Sequence, residues 1–257
     1  MDSDTKAFVK SSTLVNSDWH KTPEGENFFR KFFSSSSTGR KLYGVLERPA
    51  VFDGIEEVTY KILFIGKTGA GKSWAVSQLA GLPNSQAVCD TFGIEVTDVY
   101  WPVKIWDKVI LFKLQCWDAG DSSLKKYNHI MEACQDKVDM KAFVFSYADA
   151  ATFSELPGYI NTFCSKDLAQ AASIVIGTRH SSNGGNQVTA REVEAFKSTY
   201  GIDVQSLNQQ LASPHSPQLS GEKTLENMQD LFNVMNSVCE ILWIRDQQYI
   251  LNSSITV

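Results

Sequence analysis

Two hydrophobic periods take turns along this chain. Short, mostly apolar runs read as strands buried on both faces: Lys61-Ile62-Leu63-Phe64-Ile65, Lys141 to Tyr147 (KAFVFSY) and Ala172 to Gly177 (ASIVIG). Between them, apolar residues recur three and four apart, at Ala75, Val76 and Leu79, from Leu124 to Cys134, and at Phe153, Leu156, Ile160 and Phe163. That spacing turns one face of a helix toward a core. Strands alternating with helices predict an α/β fold, a parallel sheet with helices on both faces. Two longer runs, Ile94 to Val103 and Val109 to Trp117, with Asp107 and Lys108 near the turn between them, predict a hairpin.

The C-terminal part continues the pattern. Thr189-Ala190-Arg191-Glu192 is a capping box, and Val193, Phe196 and Tyr200 hold one helical face until Gly201 stops it. Ile202-Asp203-Val204 predicts a last edge strand, and Asn208 to Gly221, with Pro214 and Pro217, a polar insertion. Leu225, Met228, Phe232, Met235, Cys239 and Leu242 then define the core face of a long closing helix. At the other end, Ser34 to Ser37 is a polar run beside an aromatic patch of Trp19, Phe28, Phe29, Phe32 and Phe33. Thr22-Pro23-Glu24-Gly25-Glu26 looks like a helix opening, with proline in the first turn. Its phenylalanine face either packs back onto the main domain, the preferred alternative, or serves a partner. The division is therefore an N-terminal extension over 1–57, an α/β domain over 58–247 and a tail over 248–257.

Between the first strand and the first helix lies Gly66-Lys67-Thr68-Gly69-Ala70-Gly71-Lys72-Ser73, which fits G-x-x-x-x-G-K-[ST] at every fixed position. Glycines let backbone N–H groups wrap a polyphosphate, and the following helix presents its positive end to the anion. Lys72 would reach the β/γ-phosphates and the Ser73 hydroxyl would take Mg²⁺. Such a loop needs an acid at the end of a neighbouring buried strand, and Asp118 is in that place. Gly120 can bring a backbone N–H to a γ-phosphate, and Thr91 can offer the metal a second hydroxyl.

Composition removes other classes. A net charge of −5 and a pI near 5.4, with basic residues scattered, leave no electrostatic footprint for nucleic acid. The five cysteines are far apart and form no C-x-x-C pair, which favours buried thiols in a reducing, cytoplasmic setting over disulfides or zinc. His20, His129, His180 and His215 stand alone, and no G-x-S-x-G elbow occurs. No apolar run reaches membrane-spanning length, and the C-terminal SSITV has no prenylatable cysteine, so membrane contact is expected only through partners. A small P-loop kinase needs lid arginines, and the segment from Gly81 to Gly93 has none. A nucleotide-binding scaffold without turnover stays open as an alternative, although the intact Gly71-Lys72-Ser73 argues against a nucleotide-free one.

Thr91-Phe92-Gly93-Ile94, Trp117-Asp118-Ala119-Gly120-Asp121 and Asp149-Ala150-Ala151-Thr152-Phe153 resemble the switch I, switch II and third-helix signatures of Ras-superfamily small GTPases of Rab type. Asn16 to His20, Leu46-Glu47-Arg48-Pro49, Tyr100-Trp101-Pro102 and Asp121 to Lys126 narrow the resemblance to the Rem- and Rab-like small GTPases of the CPLANE ciliogenesis and planar-polarity complex. It spans roughly residues 14 to 247. It implies a P-loop small-GTPase-like fold with a mostly parallel six-stranded sheet, and GTP and Mg²⁺ as ligands. The nucleotide would be held by Lys67, Thr68, Gly69, Ala70, Gly71, Lys72, Ser73, Trp74, Thr91, Gly120, Thr178, Arg179 and Ser181, and the metal by Ser73, Thr91 and Asp118. No residue is assigned a catalytic role. The resemblance further implies the Fuzzy and Inturned proteins as partners and a place at the cilium basal body, in protein and membrane transport. Two departures matter. Asp118-Ala119-Gly120 is one residue shorter than D-x-x-G, and Asp121 stands where the water-positioning Gln would be, so slow hydrolysis is expected. Thr178-Arg179-His180-Ser181 replaces N-K-x-D, so guanine preference is expected to survive but weaken, with Arg179 covering the base and Thr178 offering one hydrogen bond.

Overall fold

The computed structural model describes residues 15–16, 18–33, 54–81, 91, 93–164, 171–180, 185–208 and 228–255. Six strands form one sheet in the order β2-β3-β1-β4-β5-β6: β1 is Glu57–Ile65, β2 Ile94–Ile105, β3 Lys108–Ala119, β4 Met140–Ser146, β5 Ala172–His180 and β6 Asp203–Asn208. Only β2 runs antiparallel to its neighbour; it is the hairpin partner of β3 and ends the sheet. The sheet is thus the mostly parallel six-stranded one expected, with β6 as its other edge.

Alternation along β1 explains the unbroken apolar runs. Ile62 and Phe64 enter one core with Val144, Ile174 and Ile176, whereas Leu63 and Ile65 enter a second with Phe143, Phe145 and Val175. A strand covered on both faces has no solvent side to mark with polar residues. On the first face lie α2 (Lys72–Leu79) and the closing helix α8 (Gln229–Ile255). On the second lie α3 (Asp121–Lys126), α4 (Asn128–Gln135), α6 (Leu156–Cys164) and α7 (Ala190–Tyr200). The closing helix continues through most of residues 248–257, and none of the helices among the described residues is long and apolar enough to cross a membrane.

The capping box at Thr189 and Glu192 is present, and Gly201 ends α7 at φ 64°, a left-handed position that suits glycine. Two expected helices are each divided. The Leu124 to Cys134 stretch breaks at Tyr127, whose backbone is extended (φ −125°, ψ 101°). The Phe153 to Phe163 stretch breaks between α5 (Ala150–Ser154) and α6, where Pro157 has no N–H to continue the ladder and clashes with the preceding turn. Apolar spacing carries through a one-residue interruption, which is why neither break is visible in it. Leu225, Ser34 to Ser37 and the polar insertion up to Gly221, except Asn208, lie outside the described residues.

The extension docks. Helix α1 (Pro23–Phe32) is capped by Thr22, whose hydroxyl accepts the Gly25 N–H at 3.1 Å. Glycine is required at 25 because a Cβ there would lie 2.0 Å from the Trp19 carbonyl oxygen. Phe29 and Phe32 are buried, and Phe29 meets Phe232 of α8 edge-on at 4.8 Å and Trp101 of β2 at 5.4 Å. Upstream, Val15 bridges Ile105 and the Asn16 N–H donates to the Lys104 carbonyl at 3.0 Å, which covers that end of the β2 edge. The helix therefore fastens the edge strand to the closing helix. Phe29→Ala or Phe32→Ala is expected to lower unfolding free energy by about 3–5 kcal/mol, read from the urea midpoint. A loss below about 1 kcal/mol at both positions would show that the helix is not part of the cooperative unit.

Candidate functional site

The parallel register brings four strand ends together. Phe64 of β1 pairs with Asp118 of β3, Ile65 with Phe143 of β4, and Ser146 of β4 with Thr178 of β5. Gly66 to Ser73 turns across those ends into α2. Gly69 (φ 85°) and Gly71 (φ 91°) take left-handed conformations that L side chains resist. Gly66 is needed for a different reason: a Cβ there would lie 2.4 Å from the Val144 carbonyl oxygen. Lys72, nearly buried, donates from Nζ to the Gly66 carbonyl at 2.8 Å and so bridges the loop from its helical end to its start. Thr68 and Gly69 are exposed, Ala70 is buried, and Trp74 is half-buried against the first core. Lys67 pairs with Glu155 at 2.6 Å.

Three segments meet beside Ser73. The Asp118 carboxylate is 2% exposed, and its Oδ2 accepts from Ser73 Oγ at 2.5 Å and from Thr91 Oγ1 at 3.1 Å. The two hydroxyls are themselves 2.9 Å apart. The other carboxylate oxygen, Oδ1, is buried with no hydrogen-bond partner among the described residues. A carboxylate oxygen withdrawn from water without a partner is costly, and the same carboxylate's other oxygen already gathers two hydroxyls. That all-oxygen set fits Mg²⁺, a hard cation held by one or two carboxylates, hydroxyls and phosphate oxygens. Among the described residues no group of three or more His, Cys, Asp or Glu side chains is placed to hold a metal, so such an ion would complete its shell from the ligand.

Gly120 has a tighter duty than expected. A Cβ there would lie 2.0 Å from the Thr91 carbonyl oxygen, so only glycine lets the two loops touch. Its N–H, expected to face a phosphate, donates instead to the Gly93 carbonyl at 3.1 Å, and the Gly93 N–H donates to Ser123 Oγ at 3.1 Å. The loop carrying Thr91 and the start of α3 are thereby joined by two further bonds.

Thr178 is fully buried and its hydroxyl donates to the Ala70 carbonyl at 2.7 Å, with the Phe145 carbonyl at 3.1 Å. One hydroxyl proton committed to the phosphate loop is not available to a base, so the single base hydrogen bond expected of Thr178 is corrected to a bond that shapes the loop. The Thr178 side chain also occupies the space where a Gly71 Cβ would sit, with Oγ1 2.8 Å from that position. Arg179 is exposed at φ 55°, and Ser181 lies outside the described residues. Asp121 opens α3 with Oδ1 accepting the Tyr159 phenol at 2.8 Å and Oδ2 accepting Lys125 Nζ at 2.9 Å. Burial first, and then the bond to Asp121, pushes the Tyr159 phenol up to about 12, and the same carboxylate raises Lys125. Sequence reasoning missed both partners. The i,i+4 spacing of Asp121 and Lys125 could have revealed one, but nothing in the sequence links Asp121 to Tyr159.

A strand-to-helix phosphate loop, a buried acid at the adjacent strand end and a threonine loop closing on both make a recognisable set, and the sequence matches the Ras family over residues 61–208, more than half of the 257. The chain belongs to the Ras family. Curated relatives cover nearly its whole length. It is 33% identical to ciliogenesis and planar polarity effector 2 of Mus musculus over 91% of each chain. The proteins of the same name from Xenopus tropicalis and Homo sapiens are 31% and 30% identical, over 91% of this chain and 92% and 91% of theirs. These alignments extend well beyond the Ras-family match.

In this Ras-family chain Thr178 acts on the loop, which every triphosphate shares. Thr178→Val, which removes the hydroxyl at nearly constant size, is expected to weaken GTP and ATP binding by the same factor, about tenfold, in calorimetric titrations. A loss confined to GTP would place the hydroxyl on the base.

Proposed function

We propose that this chain is a GTP-binding molecular switch of Rab type that docks on a multi-protein complex and turns over slowly. The observation that supports it best is the meeting of Ser73, Thr91 and Asp118, which come from three separate segments and share one carboxylate oxygen. A loop tied to the phosphate site through Thr91 closes when that hydroxyl has partners and is released when they go. Closure carries Gly93 onto Gly120 and Ser123, so the two loops respond as one.

The residues divide the work as follows. The phosphate-loop backbone and Lys72 would cradle the β- and γ-phosphates, with Thr178 and Gly71 holding the loop's shape. Ser73, Thr91 and Asp118 would hold Mg²⁺, which when bound supplies positive charge against the phosphate oxygens. Arg179, exposed beside the site, would cover the base with its planar head, so that guanine is preferred more weakly than with an aspartate present. Asp121 places no water. Its carboxylate is committed to Tyr159 and Lys125, and a carboxylate cannot donate as the neutral amide of Gln does. That same commitment favours a second reading, a scaffold that holds nucleotide without hydrolysing it.

The relatives' name, with the resemblance over the N-terminal extension, supports a role in ciliogenesis and planar polarity. In this reading the triphosphate-loaded form binds the Fuzzy and Inturned proteins of the CPLANE complex. It would support targeted protein and membrane transport at the basal body, reaching membranes from the cytoplasm only through those partners.

Two measurements test the proposal. Lys72→Ala and Ser73→Asn are expected to abolish Mg²⁺-dependent GTP binding, because the loop backbone replaces neither the charge nor the ligand; unchanged affinity in both would remove the nucleotide site. Single-turnover phosphate release from preloaded protein is expected to be very slow, with Asp121→Gln equal to wild type or faster. Hydrolysis that slows in Asp121→Gln would make the carboxylate the timing group and contradict the assignment.

A further inference from the structure

Asp121 is the first residue after the Asp118-Ala119-Gly120 turn, and its strongest anchor lies outside its own helix. The phenol of Tyr159 reaches it from α6, 38 positions along the chain, in a buried contact of 2.8 Å. Lys125 holds the other oxygen from the next turn of α3. The two partners are unequal. Asp121 and Tyr159 are 7% and 8% exposed, whereas the Lys125 side chain is 59% exposed. Water competes for the ammonium and has little access to the phenol, so the phenol bond contributes more to holding the carboxylate. Tyr159 is itself fixed, because α6 packs Leu156, Ile160 and Phe163 into the second core.

The segment 120–126 is held by Leu124, buried in the second core, and by two sets of hydrogen bonds of different kinds. One joins Gly120 and Ser123 to Gly93, on the loop that Thr91 brings to the metal and phosphate positions. The other joins Asp121 to α6, whose Leu156, Ile160 and Phe163 pack into the second core. When the Thr91 loop leaves, the first attachment goes with it. The second remains and, with Leu124 in the second core, keeps the segment down.

We propose that Tyr159 is a positioning residue that latches the segment following Asp118 to α6, and so sets how often that segment lifts and how fast nucleotide leaves. The consequence for nucleotide rests on the switch reading above; the latch itself is a property of the folded chain. Tyr159→Phe deletes one oxygen and keeps the ring, so the core has no new cavity. It leaves the Asp121 carboxylate buried with an exposed cation as its one remaining side-chain partner among the described residues. Local opening of the segment becomes about tenfold more frequent or more, the size set by a buried hydrogen bond to a charged group.

Hydrogen–deuterium exchange on the full-length protein tests this, with wild type, Tyr159→Phe and Lys125→Met followed in peptides covering 119–127 and, as a reference, β4. In Tyr159→Phe, exchange over 119–127 is expected to rise about tenfold with β4 unchanged, and Lys125→Met is expected to stay within about twofold of wild type. GDP release from loaded Tyr159→Phe is expected to quicken by a similar factor. Unchanged exchange over 119–127 in Tyr159→Phe would overturn the latch. So would an equal rise in β4, which marks global loosening, or an equal rise in Lys125→Met, which moves the role to the ion pair. If wild type retains no guanine nucleotide, the switch reading fails, while the exchange pattern still decides the latch.

Discussion

A buried carboxylate needs partners, and Asp118 is where that need organises the molecule. It sits at the end of β3, paired in register with Phe64 at the end of β1, so the strand that feeds the phosphate loop also sets the acid's position. One carboxylate oxygen is satisfied by Ser73 and Thr91; the other, buried and without a partner among the described residues, calls for a cation or a ligand-borne group. Because the two hydroxyls come from the start of α2 and from the loop before β2, satisfying one charge also sets where those segments sit. Gly120 permits the last approach, since any Cβ would collide with the Thr91 backbone.

Around that point two long-range hydrogen bonds tie the site to the rest of the fold. Thr178 fastens the phosphate loop to the ends of β4 and β5 from inside the protein. Asp121 fastens the start of α3 to α6. At the far side, the N-terminal helix fills the space between β2 and α8 with phenylalanine rings, which supports the edge strand that begins just after Thr91. The edge strand has β3 as its one strand neighbour in the sheet, and the extension braces it from its opposite end through Val15 and Asn16.

Much of this is legible in the sequence because local patterns impose it. The apolar runs of β1, β4 and β5 must be buried on both faces, the Thr189 box and Gly201 bound a helix by their own hydrogen bonds, and the glycine pattern before Lys72-Ser73 marks a strand-to-helix turn. What escaped was set by contacts between distant positions or by single residues inside a pattern. The breaks at Tyr127 and Pro157 interrupt helices without disturbing their apolar spacing. The Thr178 hydroxyl goes to Ala70, 108 positions away, and the Asp121 carboxylate to a phenol 38 positions away, and no composition or spacing rule reaches that far. For the same reason the signature positions misled in detail: residue type at the base-motif position suggested a contact with the base, while the fold had already committed the hydroxyl to the loop.

The central claim is that Asp118, Ser73 and Thr91 form one metal and nucleotide site. Its most direct test is GTP affinity with excess Mg²⁺ and with excess chelator, in wild type and in Asp118→Asn, which keeps the shape and removes the charge. The account predicts that Mg²⁺ strengthens GTP binding by tenfold or more in wild type and that Asp118→Asn removes most of that gain, because the amide is a much weaker metal ligand. GTP affinity that is indifferent to Mg²⁺ in wild type, or a Mg²⁺ gain as large in Asp118→Asn as in wild type, would contradict it.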